Sequence, residues 1–436
     1  MKILALTNLY PPHLAGAFDH RCQKVADALR MRGHTVYILT SNYGLRTEQR
    51  DEQAQRRLLL NGAFGQPLVT SYPQLKSLEL HNNRVLMEAL EEFAPEVVHV
   101  FSLQGVSKSL LFTLRHAKVP VVFDVHDHWL SANVREDPWL RFWNSPALPL
   151  LQQSSRTALE MSGERGRLDD TAPTRVKKGY DRLPVLFAEG KDLATVEPNS
   201  IAGFQFDHIY FCSQALKSLA EKVGFCVRHA QVIYPGIAAN CVGAVKPAGS
   251  PMTRFLIACR LAPESGVMTA LKALKIARQA GLKLNLSIYG RGESNFVAEL
   301  RSFALAHQLP VEFLTASTSA NNLASVYKQH DVLIHPPEWA EPFPFTPLEA
   351  MGCGLPVIAS TPGGAEELFR HGENSLTYPP GDAPQLAARI QELLISPSLR
   401  QQMAETAQNE VLSKFNDSTV TDQLENFLAN SQTQTN

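Results

Sequence analysis

What most constrains the fold of this 436-residue chain is a rhythm: short, β-branched apolar runs alternate with segments of helical period along most of its length. That alternation is the pattern of parallel βαβ units, whose strands are buried on both faces and joined by crossover helices. In the first half the strand candidates are KILALT, TVYILT, EVVHVFS, VPVVFDVH, HIYFCS and QVIYPG. The second half repeats the pattern with RFLIACR, LNLSIYG, VEFLT, DVLIHP, LPVIAS and SLTYPP. Between them Ala238–Pro251, rich in Gly, Pro and small residues, reads as a hinge. The expected class is therefore α/β, with two doubly wound domains over residues 1–238 and 239–412. A C-terminal helix and tail follow over 413–436, with the helix available to pack back on the first domain.

Two regions break the rhythm. Residues 44–73 are polar and rich in Arg and Gln, which reads as a surface excursion. Residues 127–206 form a long insertion that carries Trp129, Trp139, Arg141 and Trp143, then the basic run TRVKKGYDR with Lys177 and Lys178. Such a stretch suits either a core-packing lid or a peripheral contact with a membrane surface.

Composition narrows the function classes. The formal net charge is −1, so no global field draws the chain to nucleic acid, and no nucleic-acid partner is expected. Hydrophobic residues make up 44%, a balance that fits a well-buried globular protein. The start MKILALTNLYPP is too short an apolar run for a signal peptide, and no stretch approaches the roughly 18 apolar residues of a membrane span. Six scattered cysteines without CxxC spacing read as free thiols of a cytoplasmic protein, one able to sit at the inner face of the membrane.

Ligands of open α/β sheets bind outside the carboxyl ends of the strands, so the loops leaving each strand are the candidate sites. After DVLIHP the chain reads EWAEPFPFTPLEAMGCG, with Glu341 and Glu349 eight positions apart. Thr346, Pro347 and Glu349 form a capping-box pattern, with Gly354 just past the helix end. This gives Glu349 a local role at the cap. Glu341 has no such role, and the helix start beside it is a natural seat for a phosphate bearing a hydroxyl-rich group. Arg260, in CRLAPESG after RFLIA, reads either as a surface arginine or as a ligand for a pyrophosphate. Gly363 and Gly364 precede a further helix start, and Gly16 follows the first strand, where a backbone can approach a ligand. FDVHDHW offers His126, Asp127 and His128 at another strand end, where a histidine is either structural or a donor to a sugar or phosphate.

Together these stretches resemble the retaining glycosyltransferases of family 4, which adopt the GT-B fold of two facing Rossmann-like domains. EPFPFTPLEAMGCGLPVIASTPGGAEEL carries most of the resemblance, matching that family's E-x7-E loop, small-residue helix and glycine pair. LYPPHLAG, RGHTVYILT, VVHVFS, VHDHW, VIYPGI, CRLAPESG and YPPGDAPQLAARIQELL support it. The resemblance implies that Glu341 hydrogen-bonds the donor sugar and Glu349 the nucleotide ribose. Backbone amides around Phe343, Phe345 and Thr346 would hold the sugar and phosphates, Arg260 the diphosphate, and His126 the sugar from the opposite domain. Gly16 would let the first loop approach the diphosphate, and Glu341, His126 and Arg260 form the expected catalytic set.

The chain also departs from that family. Ser265 stands where a diphosphate-binding lysine is usual, available instead to cap the next helix. Ala15 replaces a glycine, Pro344 removes an N–H donor, and Glu366 stands where proline is common. Arg291, at a neighbouring strand end, offers a replacement cation. No DxD-type metal pair lies near these loops, so the expectation is a metal-independent reaction without a cofactor. The donor would be a nucleotide diphosphate sugar bound in an interdomain cleft, and the acceptor a glycan or lipid-linked sugar. A sugar-nucleotide epimerase of the same fold and a non-catalytic member that only binds a nucleotide sugar are the alternatives.

Overall fold

A computed structural model describes residues 1–11, 19–44, 54–63, 66–69, 72–130, 205–223, 225–227, 229–315 and 321–433, with isolated positions between 150 and 161. Within it the chain divides into two units. The first comprises Met1–Cys212, Leu216–Ile233 and Thr421–Asn436, and the second Ser213–Ala215 and Tyr234–Val420.

In the first unit the apolar runs become β1 (Lys2–Thr7), β2 (Thr35–Ser41), β3 (Ala54–Leu58), β4 (Val97–Ser102), β5 (Val121–Val125), β6 (His208–Phe211) and β7 (Gln231–Val232). They form one parallel sheet in the order β3-β2-β1-β4-β5-β6-β7. Ile3 to Thr7 of β1 are all buried, as a strand between two helical layers requires. Helices α1 (Asp19–Met31), α2 (Tyr72–Phe93), α3 (Leu110–His116) and α4 (Gln214–Val223) make the crossovers.

The second unit holds β8 (Arg254–Ala258), β9 (Asn285–Gly290), β10 (Val311–Thr315), β11 (Val332–His335), β12 (Val357–Ser360) and β13 (Leu376–Tyr378). All pair in parallel, in the order β10-β9-β8-β11-β12-β13. Its helices are α5 (Val267–Gln279), α6 (Ser294–Ala306), α7 (Asn321–Gln329), α8 (Phe345–Gly352), α9 (Ala383–Ile395) and α10 (Pro397–Lys414). Helix α5 buries Val267, Ala270, Leu271 and Leu274 at 3.6-residue spacing against Phe255, Ile257, Leu286 and Ile288. Each fully buried Leu or Ile there contributes about 1.5–3 kcal/mol. In both sheets the order reverses beside the first strand, between β1 and β4 and between β8 and β11. Such a reversal is a topological switch point, where ligands of these folds bind.

The structure changes two expectations about the breaks in the rhythm. Within 44–73, Ala54–Leu58 is not a surface excursion but the edge strand β3, with four of its five residues buried. Arg56 can be buried there because its guanidinium donates to the Tyr10 carbonyl at 3.1 Å and to the Pro11 carbonyl, 45 residues distant in sequence. The stretch read as a hinge is bonded along its length to the second unit. Gly243 N–H donates to Gly352 O at 3.2 Å, Gln408 Nε2 to Gly243 O at 2.8 Å, and the Arg400 guanidinium to Ser250 O at 2.9 Å. A Cβ at Gly243 would collide with the Cys353 carbonyl oxygen, so the small residues serve close packing.

The last helix, α11 (Asp417–Thr433), enters the first unit from Thr421 onward. Arg32 there pairs with Asp422 at 2.6 Å and Glu425 at 2.8 Å, while Phe427 lies edge-on to Tyr210. Among the described residues no helix is long and apolar enough to cross a membrane. Cys22, Cys212, Cys241, Cys259 and Cys353 are free thiols, all buried except the half-buried Cys259.

Candidate functional site

At the carboxyl ends of β8, β11 and β12 in the second unit, three loops are hydrogen-bonded into one surface. Glu338 N–H, after β11, donates to Glu264 O, after β8, at 2.9 Å. Ser360 Oγ at the end of β12 donates to Pro337 O at 2.6 Å. Gly364 N–H, after β12, donates to Glu341 O at 2.9 Å, and Glu341 and Gly363 form a parallel bridge. The glycine pair is thus a structural partner of the Glu341 loop. Gly363 has φ +69° and a Cβ on it would lie 2.8 Å from Glu341 O; a Cβ on Gly364 would run into Pro342 O.

Glu341 stands in this surface with its side chain 13% exposed. Sequence reading left it without a local partner, and the structure supplies one: the Nε2 of His335, the last residue of β11, makes a short hydrogen bond to Glu341 Oε1. Sequence reasoning missed His335. The signal was present in LIHPPEWAE, where a histidine ends a strand and two prolines turn the chain back over six residues to the glutamate.

The capping-box expectation for Glu349 does not hold. Helix α8 begins at Phe345, so its N-cap is Pro344, which makes no side-chain cap hydrogen bond, and Thr346 lies inside the first turn. Proline at the cap cannot offer the hydroxyl that the pattern assumed. Glu349 instead accepts the Tyr327 hydroxyl of α7 at 3.1 Å. Gly354, at φ +82°, follows the helix end as expected. The Phe343 ring is a core group packed against Tyr234 and Phe415, and Phe345 stands edge-on to it. Phe345 N–H donates to Phe343 O at 3.1 Å.

Arg260 is largely exposed, with its guanidinium 2.5 Å from Glu264. Ser265 does not cap the following helix, because that position is taken by Gly266 at φ +70°. Its hydroxyl closes its own 3-10 turn, donating to Ala262 O at 2.6 Å. Arg291 is exposed and its carbonyl accepts Leu261 N–H at 2.7 Å, which places it beside the Arg260 loop.

In the first unit, His126 directly follows β5 and is buried, with Nδ1 against Asp124 Oδ1. Asp124 also accepts Arg21 Nε at 2.8 Å and the Tyr210 hydroxyl at 2.5 Å. Burial, with the Arg21 charge and His99 nearby, holds His126 well below the ordinary histidine range, so the imidazole is neutral. Asp127 fixes the turn, accepting Trp129 N–H at 2.7 Å and Ser102 Oγ at 3.0 Å. Trp129 itself is fully buried against Phe123 and offers nothing to a membrane. Gly16, Trp139, Arg141, Trp143, Lys177 and Lys178 lie outside the described residues. Among the described residues no cluster of three or more His, Cys, Asp or Glu side chains is arranged to hold a metal ion.

Comparison with known proteins agrees with this architecture. Residues 248–410 match the family profile described as glycosyl transferases group 1, and residues 16–157 the profile described as glycosyl transferase 4-like domain. An uncharacterized glycosyltransferase of Methanocaldococcus jannaschii is 22% identical over 423 residues, covering 95% of this chain and 94% of that protein. The D-inositol 3-phosphate glycosyltransferase of Pseudarthrobacter chlorophenolicus is 30% identical over 156 residues, 35% of this chain and 37% of that protein. Among solved structures, sucrose-phosphate synthase from Thermosynechococcus elongatus superposes with TM-score 0.66 at 17% identity, covering 98% of each chain. Anabaena HepE in complex with UDP-glucose superposes with TM-score 0.66 at 20% identity, covering 99% of this chain and 100% of that one. The fold is GT-B, and the chain belongs to the GT-B glycosyltransferase superfamily. Within it, the second unit carries the group 1 domain and the first unit the 4-like domain.

Proposed function

We propose that this chain is a retaining glycosyltransferase of family 4 that moves a sugar from a nucleotide diphosphate sugar to a glycan or lipid-linked acceptor, in polysaccharide or glycoconjugate biosynthesis. The observation that carries the proposal is Glu341: an oriented, mostly buried carboxylate at the switch point of the second sheet, on a loop tied to the glycine pair. Such a carboxylate accepts hydrogen bonds from neutral hydroxyls and repels bare phosphate, which suits the sugar part of the donor. Glu349, fixed by Tyr327, takes the ribose. Arg260 and Arg291 supply positive charge to the departing diphosphate in place of the missing lysine. The complexes of Anabaena HepE with UDP and with UDP-glucose make UDP-glucose the first donor to try.

In the proposed step the bond from the anomeric carbon to the phosphate oxygen breaks and leaves oxocarbenium character on the sugar. The acceptor hydroxyl attacks from the same face and passes its proton to the leaving phosphate, so the configuration is retained and no protein nucleophile is needed. His126, being neutral, would serve as a hydrogen-bond donor and not as a cation. We place the reaction in the cytoplasm, with peripheral contact at the membrane's inner face where the acceptor is lipid-linked, and without a metal ion or cofactor. Glu341→Ala is expected to remain folded and lose sugar transfer; wild-type transfer by that variant would sink the assignment.

One observation favours a second reading, a non-catalytic nucleotide-sugar binder. Ser265 is committed to its own turn and Arg260 is already paired, so this loop brings little free positive charge. Calorimetry showing donor binding with neither hydrolysis nor transfer would support it. UDP release without an acceptor would point instead to an epimerase.

A further inference from the structure

Among the residues without an assigned role, His335 bears most directly on Glu341. It is 7% exposed, and its ring lies tilted 6.3 Å from that of Phe369, which limits its rotation. Its Nε2 meets Glu341 Oε1, and among the described residues no other side chain hydrogen-bonds that carboxylate. The arrangement is built by the chain itself: β11 fixes the histidine, the 336–340 turn fixes the distance, and Gly364 N–H holds the Glu341 backbone from the other side.

We infer that His335 is a positioning residue for donor-sugar recognition, its Nε2–H holding Oε1 of Glu341 so that Oε2 is left to accept a sugar hydroxyl. The inference rests on the reading of Glu341 as the sugar's ligand. His335 acts through Glu341 and does not touch the sugar. A carboxylate on a freely rotating side chain would give up rotational freedom on every binding event; one already clamped by a packed imidazole has little left to give up.

The test compares Kd values for UDP and UDP-glucose, or for GDP and GDP-mannose, by calorimetry, using the pair for which the wild-type chain binds the sugar form more tightly. The readout is the ratio of the two affinities, because a merely loosened fold weakens both ligands alike. His335→Leu is expected to reduce the ratio about tenfold to a hundredfold, the worth of one hydrogen bond to a charged group. His335→Gln is expected to keep it within about threefold, since its amide nitrogen stands three bonds from Cβ, as Nε2 does. Should His335→Leu fail to fold, His335→Asn takes its place, with a donor that stops short of Glu341. If Glu341→Ala abolishes the ratio while His335→Leu or His335→Asn leaves it intact, the positioning role is overturned alone. The same holds if His335→Gln is as poor as the variant without a matched donor. If Glu341→Ala leaves the ratio intact, or the wild-type chain shows no sugar preference, the reading of Glu341 falls first.

Discussion

Lowering the pH from 7.5 to 5 is expected to destabilise the first unit by about 2 kcal/mol through His99 alone. His99 is buried in β4 with Nε2 2.8 Å from the Tyr210 hydroxyl oxygen. That hydroxyl gives its own proton to Asp124, so it accepts from His99, and the neutral Nε2–H tautomer is the one that fits. A second proton would place a full charge in a dry site near the Arg21 guanidinium. Burial first and Arg21 second therefore push His99 down to about 3. In the unfolded chain it titrates near 6.5. Because the folded value is the lower one, the unfolded state takes up protons first. The contribution is fully present above about 6.5 and is lost progressively as pH falls toward 3. At pH 5 the loss is RT ln(1 + 10^1.5), about 2 kcal/mol. His126 is shifted in the same direction and adds with the same sign. Asp331 and Glu410, both held at about 2, give up their stabilisation as the pH falls from the ordinary carboxylate value of about 4 toward 2, below most of this window. Native-state amide exchange of β4, β5 and β6 at the two pH values reads the first unit separately. His99→Phe keeps an aromatic ring beside Phe101 but cannot titrate. Its lost hydrogen bond costs the same at both pH values, so the pH-dependent loss should shrink by about 2 kcal/mol. Equal pH dependence in the two proteins would refute the argument.

Two further predictions concern the second unit. Gly363→Ala forces a side chain into positive φ and against Glu341 O, at a cost of about 1–2 kcal/mol; the melting temperature should fall modestly, while the thermal shift given by UDP-glucose is lost. Asp331 accepts Thr253 N–H at 3.0 Å, Arg254 N–H at 2.8 Å and the Arg254 guanidinium at 2.9 Å, besides Lys246. Asp331→Ala leaves these donors without their acceptor and should cost about 3 kcal/mol or more in urea unfolding.

Apart from β3, the strands and their parallel character were legible in the sequence, because a strand buried on both faces commonly reads as an unbroken apolar run. Both hydrophobic halves, and the loops at the strand ends, followed from that alone. Position within those loops was not legible. Ala54–Leu58 reads as polar surface until Tyr10 and Pro11 arrive from elsewhere in the chain to satisfy Arg56. The cap at α8 was misread because the Thr-Pro-x-Glu pattern is local, whereas the helix starts two residues earlier, with Phe343 seated between Tyr234 and Phe415. The two glutamates of the E-x7-E loop were visible as residues, but their partners were not. Tyr327 reaches Glu349 from another helix, and His335 reaches Glu341 across a turn whose direction two prolines permit but do not dictate. Sequence by itself determined which apolar segments must be buried, since hydrophobic period is a property of the chain. Only the tertiary structure decided which polar groups meet, since a hydrogen bond depends on the relative placement of elements that no local pattern encodes.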